Sequence, residues 1–301
     1  MIPAVSVVIA TYNRCEYLGA TLDSIFAQKF RDYEVIVVDD GSTDDTRRLI
    51  ASYGPRISYY YQDNAGPSAA RNLGVRQAKA AWISIQDSDD ISLSNHLEIL
   101  YHYVQSHPEV GFVFANGKYL GGPVHKRKTI IPETKSCRLA GRPVRLEDLF
   151  NKSIVRLQAG LIAKKCYDEI GGHDEDLRIC MDLDLAFRLW ARYPMAYLDQ
   201  VVFSYRKHDG NISADQERRL SENILVIEKL LHEYPKAKAI LGRGRIERRL
   251  AYRYYRLAKT KLMHGRSAEA RAALNSAVRL APFNPKYRLY QLQCMALSSR
   301  A

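Results

Sequence analysis

Short apolar segments alternate with segments of helical periodicity over residues 1–115, and this alternation is the main constraint on the fold. Residues 5–10 form an apolar, β-branched run that is typical of a buried strand. Residues 16–28, which follow it, place Leu18, Leu22 and Ile25 on one helical face. Strands that alternate with helices indicate βαβ units and a mostly parallel sheet. The predicted strands are residues 5–10, 34–38, 57–61, 82–86, 111–115 and 201–205.

The ends of the predicted helices carry residues that favour helix starts. Ser42 is expected to cap the second helix, with Asp44 and Asp45 in its first turn, where the helix dipole favours carboxylates. Ser68 is expected to cap a helix that runs through residue 77. Further helices are predicted around residues 97–104 and over 182–193.

Glycine and proline interrupt this alternation over residues 117–145, which also carry a basic cluster at 126–128. We expect a long loop there. Two interpretations stay open: the loop covers one edge of a functional site, or it is a solvated surface insertion.

The positive charge of the chain is concentrated at its C-terminal end. Residues 211–301 contain 19 Lys and Arg but 7 Asp and Glu, whereas residues 1–210 contain 26 of each class, so the whole net charge of +12 lies in the last segment. Such a step indicates a domain boundary near Asn211. We therefore predict a catalytic domain over 1–213 and a basic helical region over 214–301. In that region the spacing of Ala270, Leu274, Ala277 and Pro282 resembles one tetratricopeptide helix pair, which cannot bury its own apolar face.

The composition argues against a membrane or secreted protein. No apolar run approaches the ~18–20 residues that span a bilayer, and no basic segment with a cleavage site precedes the first strand. The five cysteines are scattered and form no Cys-x-x-Cys pair, which is typical of reduced thiols. We expect a cytoplasmic protein.

Polar residues follow four of the predicted strands. In an open parallel sheet, ligands bind beyond the carboxyl ends of the strands. Helix capping alone would explain Ser42 and Asp44, but it leaves the crowded acidic residues after the fourth strand without a purpose. Crowded carboxylates repel one another unless a cation joins them, so an Asp-x-Asp pair there is suited to Mg²⁺ or Mn²⁺. The residues that follow the four strands are Thr11, Tyr12 and Asn13; Asp39, Asp40, Gly41 and Ser42; Asn64, Gly66, Ser68 and Arg71; and Asp87, Ser88, Asp89 and Asp90.

Other nucleotide-binding and hydrolase motifs are missing from the sequence. No Gly-x-Gly-x-x-Gly opens the first helix, and there is neither a phosphate-binding P-loop nor a Gly-x-Ser-x-Gly nucleophile elbow. These absences argue against a dinucleotide-binding Rossmann domain, a P-loop enzyme and an α/β-hydrolase.

Taken together, the motifs resemble the inverting family-2 glycosyltransferases of the GT-A fold over about residues 4–213. The resemblance implies an α/β, Rossmann-like and mostly parallel sheet, here with a C-terminal helical extension. It also implies metal-dependent transfer of a sugar from a nucleotide-diphosphate donor to a hydroxyl acceptor, with Mn²⁺ or Mg²⁺ as cofactor. The Gln-x-x-Arg-Trp motif and membrane helices of processive members are absent, which favours single transfers. The matching segments are VSVVIATYNR at 5–14, YEVIVVDDGSTDDT at 33–46, NAGPSAARNLGV at 64–75, WISIQDSDD at 82–90, GGHDEDLRICMDLDLAFRLW at 171–190 and YRKHDGNIS at 205–213.

The resemblance assigns a role to individual residues. Asp182 matches the general base, although Met181 stands where the family often has glutamate, which leaves Asp184 as the alternative base. His208 matches a histidine that reaches the metal or the diphosphate; the alternative is a hydrogen-bonded loop histidine. The implied donor-binding residues are Thr11, Tyr12, Asp39, Asp40, Arg71 and Asp87, and the implied metal ligands are Asp89 and His208.

The partners follow partly from the family and partly from charge. The family implies a UDP-sugar as donor and a glycan or lipid-linked acceptor, in cell-surface glycan or lipopolysaccharide-type synthesis. For the basic region three interpretations stay open: contact with anionic lipid on the inner face of the membrane, a homo-oligomer or partner surface, or a solvated helical face. No recognition module for nucleic acid is visible, so none is expected as a partner.

Two other classes of function remain as alternatives. A nucleotidyltransferase would carry a glycine-rich phosphate loop after the first strand, where this chain has Thr11, Tyr12 and Asn13. A nucleotide-sugar-binding module without activity would tolerate loss of Asp89 or Asp182, and both are present.

Overall fold

The computed structural model describes residues 2–120, 129–151 and 154–298, with side chains as far as residue 294. The chain divides into two compact units, Met1–Asp209 and Gly210–Ala301. Every helix in the described ranges is too short or too polar to cross a bilayer.

The described part of the first unit contains one eight-stranded sheet. Its first strand is central and apolar, with Val5, Val7 and Ile9 fully buried, as the β-branched run predicts. The strands are β1 Val5–Thr11, β2 Tyr33–Asp39, β3 Ser58–Tyr61, β4 Trp82–Asp87, β5 Ile91–Ser92, β6 Phe112–Leu120, β7 Gly160–Ala163 and β8 Met195–Arg206.

The strand order is β3-β2-β1-β4-β7-β6-β8-β5. The half formed by β3, β2, β1 and β4 is parallel throughout, and β6 also runs parallel to β8. β7 runs antiparallel to both of its neighbours, and β5 runs antiparallel to β8. In the parallel half, Thr11 is paired with Asp39 and Ala10 with Asp87. The acidic strand ends therefore meet at one edge of the sheet.

The helix Pro67–Gln77 packs very closely on β1. A Cβ atom at Gly74 would lie 2.4 Å from Cγ1 of Val8, so only glycine allows this approach. The contact holds Arg71, one turn earlier in the helix, near the carboxyl edge of the sheet. The helices of this unit are α1 Cys15–Phe26, α2 Thr46–Ala51, α3 Pro67–Gln77, α4 His96–Ser106, α5 Glu133–Leu139, α6 Leu146–Asn151, α7 Lys164–Glu169 and α8 Met181–Arg192.

The two predicted serine caps are wrong. α2 begins at Thr46, and Ser42 instead accepts a hydrogen bond on its Oγ from the backbone N–H of Asn13 at 2.9 Å. Ser68 lies inside α3, which begins at the proline before it, and its hydroxyl donates to the carbonyl of Leu177 at 2.8 Å. Both hydroxyls instead join separate loops of the fold.

The segment 117–145 is not the single long loop that we predicted. β6 continues into it, and α5 lies within it. The amide side chain of Asn116 accepts from the N–H of Ile131 at 2.9 Å and donates to its carbonyl at 2.8 Å, which returns the chain alongside β6. The basic cluster at 126–128 lies outside the described residues.

The second unit is helical. Its helices are α9 Gln216–Glu233, α10 Pro235–Leu241, α11 Arg243–Met263, α12 Ser267–Leu280 and α13 Pro285–Ser298. Ala270, Leu274 and Ala277 of the tetratricopeptide-like pattern are buried in a core that α12 shares with α11 and α13, while Pro282 is exposed in the turn after α12. Packing of α11 against the α12–α13 pair therefore buries apolar surface that the pair alone would leave exposed.

Replacing Gly74 with alanine is expected to destabilise the protein, because the added Cβ would overlap Val8 and overpacking costs about 1–3 kcal/mol. Gly19→Ala is the matched control, since a Cβ there meets no atom closer than 3.7 Å and alanine gains about 1 kcal/mol in a helix. Denaturant unfolding compares the two variants. Equal free energies of unfolding would contradict the close packing of α3 on β1.

Candidate active site

The first part of the site lies where β1 ends. The Thr11 side chain is buried, and its Oγ1 is among the few buried side-chain polar atoms of the described residues that have no hydrogen-bond partner. Tyr12, the next residue, is 46% exposed. The backbone N–H of Asp40 donates to the Thr11 carbonyl at 2.8 Å, which holds the ends of β1 and β2 together. An unsatisfied buried hydroxyl beside an open aromatic ring is suited to a polar, planar ligand.

Asp39 and Asp40 shape the loops around this point. The Asp40 carboxylate accepts hydrogen bonds from the N–H groups of Ala65 and Gly66 at 2.9 and 2.8 Å, so it fixes the loop before α3. Asp39 accepts from the Tyr59 hydroxyl at 3.1 Å. Burial and the Asp39 charge raise the pKa of Tyr59 to about 12, so the phenol remains a donor. Asp39 and Asp40, both predicted to bind the donor, therefore hold the residues and loops around the site in place.

Three acidic side chains crowd the turn after β4. One carboxylate oxygen from each of Asp87, Asp89 and Asp90 lies within 4.8 Å of the others. The buried hydroxyl of Thr21 on α1 donates to the carbonyl of Asp90 at 2.8 Å. This hydrogen bond anchors the turn to the helix behind it, so the mutually repelling carboxylates stay together.

Arg71 joins two predicted site residues that are far apart in the sequence. Its Nη2 lies 2.6 Å from Oδ1 of Asp87, and its Nη1 lies 3.3 Å from Oδ1 of Asp182 at the start of α8. Burial and the charge of Asp87 raise the pKa of Asp182, while the Arg71 guanidinium opposes that rise. Asp182 is therefore a partly desolvated carboxylate that the Arg71 guanidinium contacts.

His208 contacts Asp89, another residue of the same turn. Its Nε2 lies 2.9 Å from Oδ2 of Asp89, and its ring stacks on Tyr17 with the ring centroids 4.4 Å apart. Arg14 Nε lies 3.9 Å from the same carboxylate oxygen. Burial, with the charge of Asp87, raises the pKa of Asp89, and His208 counteracts this effect. The structure thus brings together the two predicted metal ligands.

Asp90 is held by the protein on both of its oxygens. The backbone N–H of Arg206 donates to Oδ1 at 2.8 Å, and Nε2 of Gln158 donates to Oδ2 at 3.0 Å. Burial and the neighbouring Asp87 raise its pKa from 3.8 to about 8. These contacts make Asp90 a support of the acidic turn.

The contacts of Asp184 separate it from Asp182. Asp184 is buried against Arg188, whose Nε lies 2.8 Å from Oδ2 of the carboxylate. The same guanidinium donates to the carbonyls of Ile170 and Gly172 at 2.8 and 2.7 Å. Asp184 therefore anchors the loop before α8, while Asp182 faces Arg71.

Residues 6–170 match the family model described as Glycosyl transferase family 2. The chain belongs to glycosyl transferase family 2. An uncharacterized glycosyltransferase of Rickettsia typhi is 28% identical over 245 residues, which cover 80% of this chain and 76% of that protein. The glycosyltransferase GlyG of Streptococcus pneumoniae is 39% identical over 105 residues, or 34% of this chain and 35% of GlyG.

Solved structures with the same fold include two glycosyltransferases with bound donors. TarS 1-349 of S. aureus in complex with UDP-GlcNAc has a TM-score of 0.66 at 20% identity and covers 94% of this chain and 82% of that one. The mannosyltransferase PcManGT of Pyrobaculum calidifontis, with GDP-Man and Mn²⁺, has a TM-score of 0.60 at 20% identity, with coverages of 98% and 85%. The predicted family, the α/β GT-A fold and the glycosyltransferase class are confirmed.

Several residues that support this candidate site were not singled out from the sequence. Thr21 shows a signal in retrospect, since it is a polar residue on the apolar face of α1 between Leu18 and Leu22. The sequence contains no such signal for Gln158, because this residue is distant from Asp90 in the chain and contacts it only in the folded structure.

The stability of Asp90→Asn relative to the wild type is expected to rise with pH, measured without added divalent metal. The pKa of Asp90 is about 8 in the folded chain against an ordinary 3.8, so its ionisation costs stability progressively between those values. Thermal midpoints at pH 5 and pH 8 measure the effect.

Asp184→Asn is the control for this experiment, because it leaves the buried Arg188 without its carboxylate and should lower the midpoint at both pH values. A difference in midpoint between Asp90→Asn and the wild type that does not rise from pH 5 to pH 8 would contradict the assigned environment of Asp90.

Proposed function

We propose that this glycosyltransferase moves one sugar from a UDP-sugar to a hydroxyl acceptor, with inversion at the anomeric carbon and with Mn²⁺ or Mg²⁺ as cofactor. The observation that carries the proposal is the Arg71 guanidinium, which contacts Asp87 of the Asp-x-Asp motif and Asp182 of α8 together. A carboxylate suited to act as a base thus lies next to the acidic edge suited to a donor diphosphate.

The proposed nucleotide site is formed by Thr11, Tyr12 and the loops that Asp39 and Asp40 hold. The unpartnered Thr11 hydroxyl can hydrogen-bond a base or ribose, and the open Tyr12 ring can pack against a planar base. TarS was solved with UDP-GlcNAc and PcManGT with GDP-Man, so the fold itself accepts more than one base. We propose uridine, as the family resemblance implies.

The donor set at the acidic turn fits a hard divalent cation. Carboxylate oxygens are the ligands that Mg²⁺ and Mn²⁺ prefer, and the oxygens of Asp87, Asp89 and Asp90 already lie within 4.8 Å of one another. Because Asp90 and Asp87 have strong protein partners, we propose Asp89 and His208 as the direct ligands. A bound cation would act as a Lewis acid and stabilise the charge that develops on the leaving diphosphate.

Asp182 is proposed as the general base. Its carboxylate accepts the proton of the acceptor hydroxyl while that oxygen attacks the anomeric carbon and the bond to the diphosphate oxygen breaks on the opposite face. Burial raises the pKa of Asp182 and makes it a stronger base, whereas Arg71 favours the ionised form that can accept a proton. Asp184 cannot serve in this way while Arg188 holds it.

We propose a glycan or lipid-linked acceptor of cell-surface synthesis on the cytoplasmic side of the membrane. Support comes from the relatives: the chondroitin synthase of Escherichia coli is 22% identical over 215 residues, which cover 70% of this chain and 30% of that protein. Its name describes glycan synthesis.

Asp182→Asn is expected to lower turnover by about 10²–10⁴-fold, since a positioned base contributes that factor. Donor binding should change little, because the amide keeps the shape of the side chain. Turnover and donor affinity are measured separately, by product formation and by calorimetry. Asp176→Asn, an exposed acid shortly before α8, is the matched control and should keep full activity. Turnover near the wild-type level in Asp182→Asn would refute the base assignment.

Asp89→Ala is expected to abolish the metal-dependent stabilisation that a donor gives the protein. The measurement is a thermal-shift screen of UDP-, GDP-, CDP- and dTDP-sugars with and without Mn²⁺. The exposed Asp209, next to His208, provides the control Asp209→Ala, which should respond as the wild type does. Stabilisation of the wild type by one nucleotide class without any turnover would instead indicate a binding module.

A further inference from the structure

We propose that the outer side of α13 and the turn before it dock on an anionic lipid bilayer. This docking face consists of Phe283, Lys286, Arg288, Leu289 and Leu292. It lies wholly within the second unit and shares no residue with the proposed active site, so the inference goes beyond the proposed glycosyl transfer.

The two sides of α13 differ in what covers them. Tyr287 and Cys294, seven residues apart, are buried in the core with α11 and α12. Leu289 and Leu292, three residues apart, share the opposite side and are 56% and 63% exposed. Phe283, in the turn just before the helix, is 92% exposed. Three large apolar side chains are therefore directed away from the core of this unit.

The charged side chains of α13 and of the turn before it all have one sign. Residues 270–301 contain five basic side chains and no acidic one, since Glu269 is the last carboxylate in the sequence. At ~100° per residue, Lys286 and Arg288 lie on the two flanks of the stripe formed by Leu289 and Leu292. An apolar stripe with cations on both flanks is the pattern of a helix that lies in the interface of an anionic bilayer.

A second copy of the chain does not fit this face. A two-fold contact would bring each face against itself and would therefore place Lys286 and Arg288 near the same cations of the other copy. No acidic side chain after Glu269 could neutralise them. An acidic protein would supply the opposite charge, but the face is the outside of a single helix and a turn tip. A bilayer interface accepts such a convex surface without a complementary groove.

The test is co-sedimentation of the full chain with vesicles of phosphatidylcholine alone and of phosphatidylcholine mixed with phosphatidylglycerol. We expect binding to the anionic vesicles only. The double variants Leu289→Ser/Leu292→Ser and Lys286→Glu/Arg288→Glu should each weaken binding by roughly tenfold or more. Phe283→Ser, in the exposed turn, gives a third variant whose fold is not in question.

The controls match each change outside the docking face. Met263→Ser removes an apolar side chain that is 81% exposed on α11. Lys238→Glu/Arg243→Glu changes the net charge by the same amount at two exposed positions of α10 and α11. Both controls should bind as the wild type does.

Three outcomes would overturn the proposal. If Lys238→Glu/Arg243→Glu lost as much vesicle binding as Lys286→Glu/Arg288→Glu, the net charge of the chain would cause the binding and not a defined face. If the chain bound neither kind of vesicle, the face would instead be a surface for a protein partner. A dimer in sedimentation velocity that Leu289→Ser/Leu292→Ser converts to monomer, with vesicle binding unchanged, would make it a self-association surface.

Discussion

The repulsion among carboxylates at one edge of the sheet is the constraint on which the site depends. Asp87, Asp89 and Asp90 lie together. Side chains from separate elements of the fold contact these carboxylates. Arg71 contacts Asp87 and extends to Asp182, while His208 contacts Asp89. Desolvation raises the pKa of the buried acids Asp182 and Asp89, and the contacts with Arg71 and His208 oppose that rise. The charge pattern suits a site that receives a divalent cation together with a diphosphate.

The rigid parts of the fold keep this edge in place. The register of β1 with β2 and β4 sets the positions of Thr11, Asp39 and Asp87. Because Gly74 has no side chain, α3 packs closely on β1, and Arg71 of this helix lies next to Asp87. Thr21 then anchors the acidic turn from α1. Asp40 and Thr21 give this support through hydrogen bonds to the backbone of neighbouring loops.

Much of the first unit could be predicted from local patterns. The apolar run of β1 and the amphipathic face of α1 are strong signals over several residues, and the structure has both. β5 and β7 were not predicted, because two and four residues are too few to show a period and their pairing is antiparallel to more distant strands. The serine caps were wrong because a cap signal depends on where the backbone N–H groups point, and here Ser42 and Ser68 bond to other loops.

The sequence by itself determined the alternating strands and helices, the acidic strand ends, the family and the concentration of positive charge after residue 210. These features depend on the order and spacing of residues that are near neighbours in the chain. Only the tertiary structure decided that Arg71 lies between Asp87 and Asp182, and that Asp184 is held by Arg188 instead. It also decided which side of α13 is covered. Such contacts join residues distant in sequence or choose between two faces of one helix, and only the packing of whole elements settles them.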